Sequence, residues 1–166
     1  MQPALLDGPD VTESDPFTLL LGYLAWFREA LERKTAGLTD EQLRTPLPVV
    51  GWSPIGLVQH LGWVERRWLQ WGFRALPVVP YPPGDEWAVT GDVSEVWAFY
   101  RAEVARSEEI LAGASLLDPS LVGGRFPTAE QAPSLSRILF HVYQEYARHL
   151  GHLDIARQLI DGATGE

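Results

Sequence analysis

Four segments of this 166-residue chain have apolar residues at helical spacing, and each is preceded by a residue typical of a helix start. In the first, Leu20, Leu24, Phe27 and Leu31 follow one another at intervals of four, three and four residues. Serine or aspartate before each segment, followed in two cases by proline, is typical of a capped first turn. The segments begin at Ser14–Pro16, Ser53–Pro54, Asp92–Glu95 and Ser134 and are predicted to end near Ala36, Phe73, Leu111 and Ile160.

The stretches between these segments predict loops rather than strands. Residues 76–91 are rich in proline, residues 113–133 contain Gly123-Gly124, and Thr39 starts one short capped turn. Because no segment alternates apolar and polar residues over a strand length, we predict an all-α four-helix bundle. We expect residues 1–13 to form a tail, residues 14–166 to form one domain, and the two long loops to cover one end of it.

Composition excludes several classes of function. The chain has no cysteine, which rules out disulfides, thiolate metal sites and a cysteine nucleophile. Its formal charge of −9 disfavours binding to nucleic acid or to anionic lipid. The acidic N-terminal region lacks the basic and apolar parts of a signal peptide, and no stretch is apolar enough to span a membrane. We therefore expect a cytoplasmic protein.

The four histidines are concentrated on the two helices where chemistry could take place. On a helical wheel of the last segment, His149 lies in the middle of the apolar stripe, and His141, Glu145 and His152 lie along its edge. On the second segment, His60 also lies on the apolar side. Two helices therefore each point an imidazole inward, which is how metal sites in bundle cores are built.

Two interpretations of these inward groups remain open. Each histidine could be an ordinary core residue, and Glu145 could form a hydrogen-bonded pair with His149 one turn away. Alternatively, Glu145 and His149 bind one ion, and His60 completes the site from across the bundle. Two imidazoles and one carboxylate with an open position suit zinc, iron or nickel, zinc being our first choice. His152 is the competing third ligand or a neighbour of the site, and we expect His141 to form a hydrogen bond.

The remaining candidate residues have weaker patterns. Most of the seven tryptophans are expected in the core or at the bundle ends, although Trp63 and Trp71 could line an open metal face. Glu65 lies at the edge of the apolar stripe, and we predict a buried salt bridge to an arginine. The run Gly123-Gly124-Arg125 predicts a plain turn, from which Arg125 could contact an anionic group.

Two stretches of the chain resemble the signature helices of the DinB-like superfamily: His-Leu-Gly-Trp-Val-Glu-Arg-Arg-Trp (60–68) and Glu-Tyr-Ala-Arg-His-Leu-Gly-His-Leu-Asp (145–154). The C-terminal Ile-Asp-Gly-Ala-Thr-Gly (160–165) adds to the likeness. The resemblance implies a four-helix bundle, often dimeric, with a divalent metal held by His60, His149 and a third ligand. Glu145 stands where many members have histidine and is similar to the glutamate of thiol-dependent maleylpyruvate isomerase relatives. His152 stands where many members have glutamine, so the third ligand can be Glu145 or His152.

The resemblance also implies a type of activity. Related proteins use low-molecular-weight thiols such as mycothiol or bacillithiol, whose sulfur a bound metal activates toward a small electrophile. This predicts a metal-dependent thiol S-transferase or isomerase with a small-molecule thiol as cofactor. The alternatives are a non-catalytic metal- or small-molecule-binding bundle, such as a stress-related protein or scaffold, and a metal-free bundle. The apolar content of the chain is compatible with a homodimer.

Overall fold

The computed structural model describes residues 8–164, and among these no segment forms a strand. The first seven residues of the predicted tail, as well as Gly165 and Glu166, lie outside the described part of the chain. An all-α fold, predicted from the sequence, is confirmed. The elements are α1 (Pro16–Thr35), α2 (Asp40–Arg44), α3 (Pro54–Glu65), a π-helical segment (Arg66–Phe73), α4 (Val93–Leu111), a 3-10 turn (Ala129–Gln131) and α5 (Leu135–Asp161).

The helices begin where the capping residues predict. Asp15 accepts a hydrogen bond from the backbone N–H of Thr18 at 2.8 Å, and Ser53 accepts one from that of Gly56 at 3.2 Å. Each bond satisfies one of the amide groups that a first turn leaves unpaired. At the other end of α5, Gly162 has a φ of 78°, a left-handed conformation that suits glycine and ends the helix.

The long helices pack into a four-helix bundle. Helix α3 lies against both α4 and α5, and α1 lies against α5. The predicted apolar positions of α1 form part of the core, since Leu24 and Leu31 are fully buried. Helices α3 and α4 approach closely at Gly62, where a Cβ atom would lie 2.6 Å from the Phe99 ring. No helix in residues 8–164 combines the length and apolar character that crossing a bilayer requires.

A polar cluster connects the four long helices inside this core. Glu65 is completely buried, and its Oε1 accepts hydrogen bonds from Arg28 Nε at 3.0 Å and from Tyr146 Oη at 2.8 Å. The hydroxyls of Tyr146 and Tyr100 lie 3.0 Å apart. The predicted buried salt bridge of Glu65 to an arginine is therefore confirmed, with Arg28 as the partner.

The second predicted helix changes its winding half-way along. It is α-helical to Glu65 and π-helical from Arg66 to Phe73. A π-helical turn contains more residues than an α-helical turn, so a wheel drawn with α-helical spacing assigns wrong directions here. Gln70 is buried, whereas Trp68 and Trp71 are only partly buried.

Candidate metal centre

Three of the predicted ligands lie together between α3 and α5. The ligand atoms of His60, Glu145 and His149 are all within 4.8 Å of one another. The Nε2 atom of His149 lies 3.3 Å from Oε2 of Glu145, and Nε2 of His60 lies 3.8 Å from the same oxygen. In residues 8–164 this is the one group of three or more such residues that could share an ion.

The helices themselves explain why these side chains meet. Glu145 and His149 are one turn apart on α5, so they lie on the same face. His60 lies on the part of α3 that packs against α5, and only 6% of its surface is exposed. All three side chains are thus largely withdrawn from water, with exposed side-chain fractions of 7% for His60, 17% for Glu145 and 14% for His149.

The hydrogen bonding within the trio is incomplete. Nε2 of His60 and Nδ1 of His149 are buried, and neither has a hydrogen-bond partner in the described part of the chain. Most buried polar atoms in proteins have a hydrogen-bond partner, so these two nitrogens, next to a carboxylate, are open to a water molecule or an ion. Two imidazole nitrogens and one carboxylate are a ligand set that zinc accepts, with a fourth position left open. The residues present therefore fit a divalent metal ion.

Electrostatics favour a negative charge at the centre of the trio. The nearby imidazoles of His149 and then of His60 hold the pKa of Glu145 far below its usual range. Burial would lower the pKa of His60, but the nearby carboxylates of Glu145 and Glu86 outweigh burial and raise that pKa above its ordinary value. Glu145 is consequently an ionised acceptor between two imidazoles, ready to pair with a cation.

The proline-rich loop between the π-helical segment and α4 covers the far side of His60. Nδ1 of His60 lies 2.9 Å from Oε1 of Glu86, and Nη1 of Arg67 donates to Oε2 of Glu86 at 2.9 Å. The Trp87 ring stacks on the His60 ring with centroids 4.1 Å apart and planes 15° apart. The hydrogen bond to His60, followed by that from Arg67, lowers the pKa of Glu86 to about 2.

The other two histidines of α5 lie beside the trio. Nε2 of His141 is 3.1 Å from Oε1 of Glu145, and its predicted hydrogen-bonding role stays a prediction. Burial, together with Arg137 and Arg125, lowers the pKa of His141. His152 is exposed, and its ring centroid is 5.9 Å from that of His149, outside the converging trio.

Arg125 and two tryptophans form an aromatic border next to His141. The guanidinium carbon of Arg125 lies 4.2 Å from the centroid of the Trp68 ring and 5.8 Å from that of Trp71. Trp68 in turn lies 4.0 Å from the His141 ring. The turn that carries Arg125 is held closely, since a Cβ atom on Gly124 would lie 2.1 Å from the Trp71 carbonyl oxygen.

Trp63 lies against a different neighbour from the other candidate tryptophans. Its ring contacts that of Phe99 on α4 with centroids 4.9 Å apart, and Arg66 lies over it at 4.8 Å. Its predicted contact with a substrate or cofactor stays a prediction. Of the seven tryptophans, Trp52 is buried and Trp26, Trp68, Trp87 and Trp97 pack partly buried against the core.

Glu86, Trp87 and Arg67 are neighbours of the site that the sequence patterns did not predict. Glu86 and Trp87 lie in a loop, where no periodicity indicates the direction of a side chain. Arg67 lies in the π-helical segment, where the assumed spacing fails. The one feature of the sequence that could have indicated a role for this loop is the pair Glu86-Trp87 within a run of prolines and glycines.

Facing helices of this bundle bring two imidazoles and a carboxylate together, which is the arrangement found in helical bundles that bind a metal ion in their interior. The sequence profile of the mycothiol-S-transferase family matches residues 19–162, so the chain belongs to the mycothiol-S-transferase family. This family is part of the DinB-like superfamily, which confirms the resemblance seen in the sequence. No curated protein matches the chain significantly.

Proposed function

We propose that this protein is a zinc-dependent S-transferase that joins mycothiol, or a thiol of the same kind, to a small electrophile. The family membership supports a thiol as the small-molecule partner. The observation that carries the proposal is the convergence of His60, Glu145 and His149 within 4.8 Å, with Nε2 of His60 buried and unpartnered. Nickel and iron suit the same ligands, and bacillithiol is the alternative thiol.

In this proposal the protein supplies the metal ligands, and a small molecule supplies the reacting sulfur. Two imidazoles would contribute neutral nitrogen ligands, and Glu145 would contribute a negative charge. A bound divalent cation would supply Lewis acidity that lowers the pKa of a thiol presented to it. The reacting sulfur must come from a small molecule, since the chain has no cysteine. Transfer then forms one carbon–sulfur bond and releases the proton of the thiol together with any leaving group of the electrophile.

Arg125 is proposed to bind an anionic group of the substrate or cofactor, with Trp71 as part of the wall. Its one polar side-chain contact in residues 8–164 is a long one, 3.5 Å to the Tyr81 hydroxyl. Stacking on Trp68 orients the guanidinium and leaves its N–H groups to a ligand. Replacing Arg125 with methionine should raise KM for carboxylate-bearing electrophiles and leave KM for uncharged ones unchanged.

Three further points belong to the same proposal. His152, exposed next to His149, is kept as the alternative third ligand in place of Glu145. A cytoplasmic location is proposed because a small thiol stays reduced there. Assembly as a homodimer stays a prediction from the resemblance.

The experiment that tests the function is conjugation of mycothiol to a fluorogenic haloalkyl bimane by the zinc-loaded protein. We expect conjugation above the uncatalysed rate in the wild type and in His152→Ala, and its loss in His149→Ala. His152→Ala removes an imidazole three residues away on the same helix, and loss of conjugation in this variant would assign the third ligand to His152 instead of Glu145. A protein that binds zinc but conjugates neither mycothiol nor bacillithiol would instead be a non-catalytic metal-binding bundle.

A further inference from the structure

Glu86 is the carboxylate closest to the face of His60 that points away from the candidate metal centre. Its Oε1 atom lies 2.9 Å from Nδ1 of His60, whereas Nε2 of the same ring is buried and directed toward Glu145. An ionised carboxylate can only accept hydrogen bonds, so Nδ1 must carry the proton. In the neutral ring, Nε2 is then left with its lone pair free, which is the state that a metal ligand requires.

The second oxygen of Glu86 is held in place as well. Nη1 of Arg67 donates to Oε2 of Glu86 at 2.9 Å, and Arg67 itself is 8% exposed. The guanidinium of Arg67 also lies over the Tyr81 ring, 4.6 Å from its centroid. Arg67, Glu86 and His60 therefore form a hydrogen-bonded series in which Arg67 holds Glu86 and Glu86 holds His60.

The backbone of the loop that carries Glu86 also contacts α3 next to these three side chains. Nε2 of Gln59 donates to the carbonyl oxygen of Glu86 at 2.8 Å. Gly56 lets the loop approach closely, because a Cβ atom at that position would lie 2.7 Å from the Trp87 carbonyl oxygen. Trp87 then covers His60 by stacking on its ring, and Trp52 stacks on Trp87 with centroids 5.9 Å apart.

We propose that Glu86, held by Arg67, is a positioning residue that fixes the Nδ1–H tautomer and the orientation of His60 so that Nε2 serves as the metal ligand. This inference rests on the proposed function for the identity of the ligand. Hydrogen bonds from a ligating histidine to a carboxylate commonly change metal affinity by about 10–100-fold. The long loop is then part of the metal centre as well as a cover for the bundle.

Two variants and one control test this role. Glu86→Ala removes the acceptor, Glu86→Gln keeps an oxygen that can accept from Nδ1–H, and Glu41→Gln makes the same charge change on α2, away from the site. Zinc affinity is measured by competition with a chromogenic chelator. The tautomer of His60 is measured in the metal-free protein by ¹⁵N NMR of the imidazoles, a signal that a purely structural role would not move.

We expect Glu86→Ala to lower zinc affinity by about 10–100-fold and to abolish the pure Nδ1–H tautomer of His60. Glu86→Gln should lose less affinity, and Glu41→Gln none. Unchanged zinc affinity and an unchanged tautomer in folded Glu86→Ala would overturn the proposal. If Glu86→Ala does not fold, Glu86→Leu takes its place, since leucine is larger but likewise offers no acceptor to Nδ1–H. An unchanged tautomer and unchanged zinc affinity in folded Glu86→Leu would overturn the proposal. Absence of zinc binding in the wild type would refute the proposed function instead, whereas the tautomer would still report on Glu86.

Discussion

At the scale of single residues, the Glu65 carboxylate is a fully buried charge outside the candidate metal centre. It is 0% exposed and depends on Arg28 for a hydrogen-bonded opposite charge, as the sequence predicted without naming the partner. Burying an unpaired charge costs several kcal/mol. The pair therefore fixes how α1 packs against α3 more than it adds net stability.

Replacing Arg28 with methionine should destabilise the protein by about 3–5 kcal/mol, because the Glu65 charge then remains buried without its partner. Urea unfolding followed by circular dichroism measures the change. The control is Arg101→Met, which breaks an exposed pair with Glu32 and should cost about 0–1 kcal/mol. Equal losses in the two variants would contradict a special role for the buried pair.

The neighbouring Tyr100 makes the stability of the fold depend on pH in the alkaline range. Burial, and then the nearby charge of Glu65, holds the pKa of Tyr100 well above its ordinary value of 10.0. In the unfolded chain the phenol ionises near its ordinary pKa, so the folded state binds more protons above that pH. The contribution of Tyr100 to stability is thus fully present below pH 10 and is lost as the pH rises further.

We therefore expect the free energy of unfolding of Tyr100→Phe to fall less steeply above pH 10 than that of the wild type. Urea unfolding at several alkaline pH values measures the slope. Tyr23→Phe is the control, since Tyr23 is 38% exposed and should leave the slope unchanged. A Tyr100→Phe slope equal to that of the wild type would show that other groups cause the alkaline loss.

At the scale of elements, start signals and periodicity predicted the four long helices and their ends closely. They did so because a cap is a local feature, and an apolar stripe needs only one neighbouring surface to bury it. The change from α- to π-helical winding at Arg66 could not be predicted in this way. In this segment Arg66 and Gln70 form hydrogen bonds with Glu103 of α4, contacts that the spacing of residues along one helix does not specify.

Two glycines within helices should respond to substitution in opposite directions. A Cβ atom at Gly62 would lie 2.6 Å from the Phe99 ring, whereas one at Gly151 would meet nothing within 4 Å. Gly62→Ala should therefore destabilise by about 1–3 kcal/mol through overpacking. Gly151→Ala should stabilise by about 0.5–1 kcal/mol, because alanine loses less conformational entropy in a helix. Thermal unfolding measures both, and a stabilised Gly62→Ala would contradict the close contact of α3 with α4.

At the scale of the whole molecule, the sequence predicted the part of the candidate site that helices supply. Glu145 and His149 share a face by spacing alone, and His60 follows from an inward position on a second helix. Glu86 and Trp87 could not be predicted, since the path of a long loop is decided by what it packs against. The family profile adds the chemistry of the thiol, which no spacing of residues in this chain specifies.

The most direct test of the metal centre is zinc binding by protein purified without a histidine tag. We expect about one equivalent of zinc in the wild type and in His152→Ala, and none in His149→Ala, by elemental analysis after gel filtration. All three proteins should remain folded by circular dichroism. If the wild type, after reconstitution with zinc, nickel or iron, retains no metal, then His60, Glu145 and His149 are a hydrogen-bonded core cluster and the account of this protein as a metal-dependent transferase is wrong.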